Sequence, residues 1–113
     1  MKKIEAIIRP AKVGVVCAAL KKAGNPGLMI MEIEGYGRQR GIEQQFRGKT
    51  YKTELITKAK LDIIIKDEAV EKIVAVIKEA AYTGKEGDGM IFVSPVDDAL
   101  RIRTGEKSDL ALV

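Results

Sequence analysis

Histidine and tryptophan are absent from this 113-residue chain, cysteine occurs once and proline three times. Without histidine there is no Ser-His-Asp or Cys-His nucleophile and no histidine-containing zinc site. A lone cysteine, Cys17, allows neither an intrachain disulfide nor a thiolate cluster for zinc or iron–sulfur, and points to a cytoplasmic setting. Aromatic residues make up 4% of the chain, too few for the base-stacking platforms of single-strand binders. No apolar run approaches the roughly 20 residues of a membrane span. Met1, Lys2 and Lys3 lead straight into a short alternating segment and not into a secretory apolar core.

What is present describes one globular domain over residues 1–113, with 46% hydrophobic and 32% charged residues and a net charge of +4. The positive balance favours anionic partners without naming one. Residues 2–9 alternate, with Ile4, Ala6 and Ile8 on one side, and read as a strand that stops at Pro10. Residues 12–23 bring Val13, Val16, Leu20 and Ala23 to one helical face, with Cys17 expected in the core beside them. Gly24 to Gly27 breaks that helix. Residues 28–36 and 58–66 read as strands, the latter with Leu61, Ile63 and Ile65 on one face. Residues 69–81 space Val70, Ile73, Val74, Ile77 and Ala81 as an amphipathic helix, with Asp67 as its expected N-cap. Met90 opens a fourth strand that ends at Pro95. The order β-α-β-β-α-β is the ferredoxin-like α+β arrangement, an antiparallel sheet with two helices on one face. A polar, aperiodic stretch at 37–57 interrupts what would be a hairpin, far longer than the usual 2–5 residues of such loops.

Three stretches combine glycine with cationic or amide side chains: Gly35 to Gly41, Thr83 to Gly89, and Arg101 to Gly105. Glycine lets backbone N–H groups approach an anion, and Arg or Lys adds charge-assisted hydrogen bonds to phosphate. Neither glycine stretch has dinucleotide or Walker A spacing, so each alone is also compatible with a plain turn. If the third stretch is extended, Arg101 and Arg103 share one side, which suits a polyphosphate clamp or, equally, a charged edge strand. Asp97 and Asp98 are adjacent and suit a helix start or the surface better than acid–base chemistry.

In order along the chain, residues 2–10, Gly35 to Gln39, Phe46 to Gly48 with Tyr51, Thr83 and Gly84 with Gly87 to Gly89, residues 91–96 and Arg101 to Glu106 resemble the PII signal-transduction proteins of nitrogen regulation. The resemblance covers essentially the whole chain. It implies a homotrimer with nucleotide sites in intersubunit clefts, binding ATP or ADP and, with Mg2+ and ATP, 2-oxoglutarate. It also implies regulation, without catalysis, of an ammonium transporter or nitrogen-assimilation enzymes through a T-loop at 37–55, beside a B-loop at 82–89 and a C-terminal loop at 101–113. The nucleotide residues would be Gly35, Gly37, Arg38, Gln39, Gly87, Asp88, Gly89, Arg101 and Arg103. The 2-oxoglutarate residues would be Gln39, Arg40, Gly41, Lys58 and Gly87, with Gln39 also a Mg2+ ligand. Arg47 would enter a partner at the loop tip, and Tyr51 matches a tyrosine that some bacterial members uridylylate. Met90 and Met29 depart from the family, standing where a phosphate-contacting Lys or Arg and a threonine near the adenine are usual. Phe46, Lys49 and Thr50 depart from the usual modification signature. Two rival readings are a nucleic-acid-binding ferredoxin-like module, which lacks the aromatics of an RNA-reading sheet, and a phosphatase, which lacks an evident base.

Overall fold

The alternation at the start of the chain forms strand β1, Lys2–Ile8, with Ile4, Ala6 and Ile8 buried. The computed structural model describes residues 1–25, 27–36 and 55–112, with Tyr36 described by its backbone alone. Pro10 fixes its own φ and has no N–H to continue a ladder. A 3₁₀ turn, Pro10–Lys12, therefore leads out of the sheet and into helix α1, Val13–Lys22. That turn takes the first residue of the expected helix. Val16 and Leu20 are buried as expected, whereas Cys17 is half-buried and not part of the core. Strand β2 is Met29–Tyr36 and strand β3 is Leu55–Ile65. β3 begins three residues before the expected position, because Leu55, Ile56 and Thr57 pair with Tyr36, Gly35 and Glu34.

A second 3₁₀ turn, Asp67–Ala69, leads into α2, Val70–Ala81, which buries Ile73, Ile77 and Ala81. No side chain caps it. Asp67 does not serve as the N-cap; it accepts instead from the Met1 ammonium at 2.9 Å and from Lys2 Nζ at 3.3 Å. The register explains the diversion, since Lys2 pairs with Ile65 and sets the chain start beside this corner. The two ion pairs hold the Asp67 carboxyl below the usual range, the ammonium contributing most.

With β4, Met90–Pro95, the sheet has the order β2-β3-β1-β4, and every neighbouring pair is antiparallel. This is the ferredoxin-like βαββαβ fold. Ile4, Ala6 and Ile8 of β1 and Ala59, Leu61, Ile63 and Ile65 of β3 form one cluster with Val16, Leu20, Ile73 and Ile77. Both helices therefore cover the same face. Each such aliphatic side chain contributes roughly 1.5–3 kcal/mol on burial.

Gly89 ties the 82–89 loop to the sheet. It has φ +107, and a Cβ there would lie 1.7 Å from the Ile7 carbonyl oxygen. That contact is with backbone, which cannot swing aside. Gly89→Ala is expected to lower unfolding stability by on the order of 3 kcal/mol. Gly14→Ala, in a helix and with open space around it, is expected to raise stability by about 0.5 kcal/mol. Urea midpoints of the two variants check both signs.

Candidate functional site

Odd-numbered residues of β1 and even-numbered residues of β3 face away from the helices. Ile8 pairs with Ala59, so the next residues on the open side, Arg9 and Lys58, lie side by side at one end of the sheet. Partial burial, and after it the Arg9 charge, push the Lys58 pKa below its ordinary value. Both cations reach into the 82–89 loop. Arg9 Nη2 donates to the Glu86 carbonyl at 2.7 Å, and Lys58 Nζ donates to the Gly87 carbonyl at 2.5 Å. In a planar trans peptide the N–H points opposite the carbonyl. With Glu86 and Gly87 carbonyls drawn onto the cations, the N–H groups of Gly87 and Asp88 turn to the other side.

The Asp88 carboxylate organises the same loop from within. Oδ1 accepts from Thr83 Oγ1 at 2.5 Å and Arg9 Nε at 3.1 Å, and Oδ2 accepts from the Thr83 and Gly84 N–H groups at 2.9 Å each. The Thr83 hydroxyl, the backbone N–H groups and Arg9 together hold the carboxyl far below the usual range. Gly84, Gly87 and Gly89 carry positive φ and permit the tight path. Behind the loop, Ile8, Ile77, Ala81 and Ile91 help to line a crevice of about 230 Å³. Its walls are mainly apolar, so the face of the loop suited to an anion is the one that bears the Gly87 and Asp88 N–H groups.

Arg101 and Arg103 are elsewhere. The Val96 N–H donates to the Met1 carbonyl at 3.1 Å, at the far end of β1 from Arg9, which is roughly 20 Å for a seven-residue strand. Arg101 Nη2 donates to the carbonyl of Ala111, whose neighbour Leu112 lines a crevice with Gly24, Ile65 and Ala69 at that same far end. Nor are the two arginines on an extended segment. Residues 102–104 form a turn closed by an isolated bridge between Leu100 and Lys107, so the shared-side alternation expected from Arg101-x-Arg103 does not occur. Asp98 holds this turn, accepting from the Ala99 N–H at 2.8 Å and Ser108 Oγ at 3.1 Å.

The chain matches a family model described as Nitrogen regulatory protein P-II over residues 1–106. Proteins named Nitrogen regulatory protein P-II from Azospirillum brasilense and Nostoc punctiforme are 45% and 47% identical over 112 residues, covering 99% of this chain and all of each relative. Nitrogen regulatory protein P-II 2 of Methanothermobacter thermautotrophicus is 46% identical over 112 residues, covering 99% of this chain and 97% of that protein. The chain belongs to the P-II family.

Of the residues expected to serve a P-II site, Gly37, Arg38, Gln39, Arg40, Gly41, Arg47 and Tyr51 lie outside the described residues. Among the others, Lys58, Gly87, Asp88 and Gly89 come together at one end of the sheet, with Gly35 on the neighbouring edge strand opposite Ile56. Arg101 and Arg103 do not join them within one chain. Arg9 was missed by motif reading, although it continues the odd-numbered alternation of β1 and immediately precedes Pro10. Met90 pairs with Ile7 and lies exposed on the open face, and Met29 pairs with Asp62 on the same face.

That open face is a mixed surface. Met29, Met31 and Phe92 are exposed on its edge strands, while Lys3, Glu5, Lys60 and Asp62 stand on the central ones. Lys60 Nζ pairs with Glu5 at 3.0 Å and approaches Asp62 Oδ2 at 3.9 Å. Asp62 is 7% exposed, yet its Oδ1 has no hydrogen-bond partner among the described residues. Two carboxylates in the middle of this face also make it a poor platform for a phosphate backbone. No described helix is long and apolar enough to cross a membrane.

The Asp88 network has a pH signature. The folded-state pKa is depressed, so its stabilisation is complete above the ordinary aspartate value of about 4 and fades as pH falls through the lower folded value. Amide exchange at Thr83 and Gly84, corrected for intrinsic rates, is expected to stay slow at pH 4 in the native protein. In Asp88→Asn it is expected to rise by about tenfold at pH 4 and above.

Proposed function

We propose that this P-II chain is a homotrimeric, cytoplasmic transducer of nitrogen and energy status that binds ATP or ADP, and with Mg2+ and ATP also 2-oxoglutarate, between subunits. It regulates an ammonium transporter or a nitrogen-metabolism enzyme through the T-loop and is not a catalyst. The observation that carries this reading is the division of the cationic groups. The 82–89 loop with Arg9 and Lys58 stands at one end of the sheet, and Arg101 with Arg103 at the other. One polyphosphate can use both sets only if they come from different copies of the chain. The uncovered sheet face supports assembly as well, because a second copy would cover Met29, Met31 and Phe92 and offer a donor to Asp62 Oδ1.

The groups fit the proposed ligands. Gly87 and Asp88 N–H groups suit phosphate oxygens, and the neighbouring Lys58 and Arg9 suit a dicarboxylate. No carboxylate-rich metal cluster occurs among the described residues. Mg2+ would therefore arrive held mainly by nucleotide phosphates and waters, its common mode, with Gln39 as the protein ligand. A 2-oxoglutarate that takes Lys58 competes with the Gly87 carbonyl and so alters the contact between loop and strand. Gln39 and Gly41 would link that event to the T-loop, and by reciprocity a partner gripping Arg47 would weaken 2-oxoglutarate binding.

Light scattering at micromolar concentration is expected to give a trimer mass; a monomer would overturn the intersubunit site. Calorimetry is expected to show ATP binding that falls at least about a hundredfold in Arg101→Ala/Arg103→Ala, from the loss of two charged hydrogen-bond donors. Lys58→Ala is expected to abolish 2-oxoglutarate binding while retaining ATP binding. Hydrogen exchange across residues 37–55 is expected to differ between ATP alone and ATP with saturating 2-oxoglutarate. Identical protection would reject the switch.

A further inference from the structure

Residues 98–112 form a closed unit. The Arg101 N–H donates to the Glu106 carbonyl at 2.8 Å, Gly105 N–H to the Arg101 carbonyl at 2.8 Å, and Ser108 N–H to the Ala99 carbonyl at 2.9 Å. The Arg101 side chain is folded into the unit. Its Nε lies 3.5 Å from Glu106 Oε1, and its Nη2 donates to the Ala111 carbonyl at 2.9 Å. Ala111 belongs to a 3₁₀ turn, Ser108–Leu112, and Leu112 faces Ile65, Ala69 and Ile73 across a crevice of about 270 Å³. The joint before this turn is Ser108, the one described non-glycine residue with positive φ, at +54. That region is strained for an L side chain, and strain marks a hinge when a few specific contacts hold it.

We propose that residues 109–112 are an autoinhibitory strap on the nucleotide site, pivoting at Ser108 and pinned by Arg101. The inference rests on the nucleotide reading above. A guanidinium N–H aimed at the Ala111 carbonyl cannot also align with a phosphate oxygen, and the Glu106 carboxylate repels an incoming phosphate. Phosphate is the stronger acceptor, because a hydrogen bond between two charged groups is roughly twice as strong as one to a neutral carbonyl. Nucleotide therefore takes Arg101 from Ala111 and releases the strap, with relief of the Ser108 strain. Leu112 leaves its crevice in the same step. The strap sets a threshold for nucleotide binding and reports occupancy through residues 109–112.

Hydrogen exchange of the full chain tests this, read at residues 109–112 with no ligand, with saturating ATP and with adenosine. ATP is expected to accelerate exchange there, and adenosine, which lacks phosphate, is expected to leave it unchanged. A chain ending at Ser108 is expected to bind ATP about threefold to tenfold more tightly, the range for loss of one competing hydrogen bond. Glu106→Gln is expected to shift affinity in the same direction. If the full chain fails to bind ATP, the nucleotide reading falls, and the strap with it. If ATP binds but strap exchange does not change, if adenosine releases the strap, or if the shortened chain binds more weakly, the strap alone is overturned.

Discussion

Strand β1 lies between β3 and β4, and its alternation allots Ile4, Ala6 and Ile8 to the helices and Lys3, Glu5, Ile7 and Arg9 to the opposite side. That one-sidedness governs the molecule. Two helices bury the central strands on one face of the four-stranded sheet, and they leave the other face to whatever groups the second parity supplies. Here the second parity supplies charge at the centre and methionine and phenylalanine at the edges. The same register makes Arg9 and Lys58 neighbours, so the end of the open face is cationic. The core and the candidate site are two readings of a single alternation.

The loop at 82–89 converts this cationic corner into an oriented surface. A glycine-rich segment has many conformations, and what selects one is polar satisfaction and not apolar burial. Asp88 accepts four hydrogen bonds from Thr83, Gly84 and Arg9, and the two cations draw consecutive carbonyls to one side. The backbone N–H groups facing the other way are then fixed before any ligand arrives. Such preorganisation lowers the ordering cost of binding an anion. Gly89 completes the arrangement by allowing the loop to rest on the Ile7 carbonyl.

The C-terminal unit follows a different logic. It has few apolar anchors and is held by backbone bonds, Asp98 and the Arg101 guanidinium. Elements held mainly by exposed polar contacts belong to the low-stability end of a structure and can move without disturbing the core. The 82–89 loop differs in being tied to the sheet by Arg9, Lys58 and the close approach of Gly89 to the Ile7 carbonyl.

The strand and helix order could be read from residue spacing alone, because side-chain periods of two and 3.6 are local and survive in one dimension. Ile4, Leu61, Ile63, Ile73 and Ile77 stand where those periods put them. The Gly87-Asp88-Gly89 stretch was also visible, since positive φ and close approach demand glycine wherever they occur. Asp67 and Arg101 could not be placed that way. Asp67 is preceded by strand and followed by helix, which suggests a cap, and only the arrival of the Met1 ammonium from 66 residues away turns it elsewhere. Arg101-x-Arg103 has the spacing of an extended clamp until a bridge between Leu100 and Lys107 bends it into a turn. Arg9 gained its role from Asp88, 79 residues later. Charges act on whatever lies within a few ångströms of them, and that neighbourhood is set by the packing of distant segments; an apolar period needs only a core on one side.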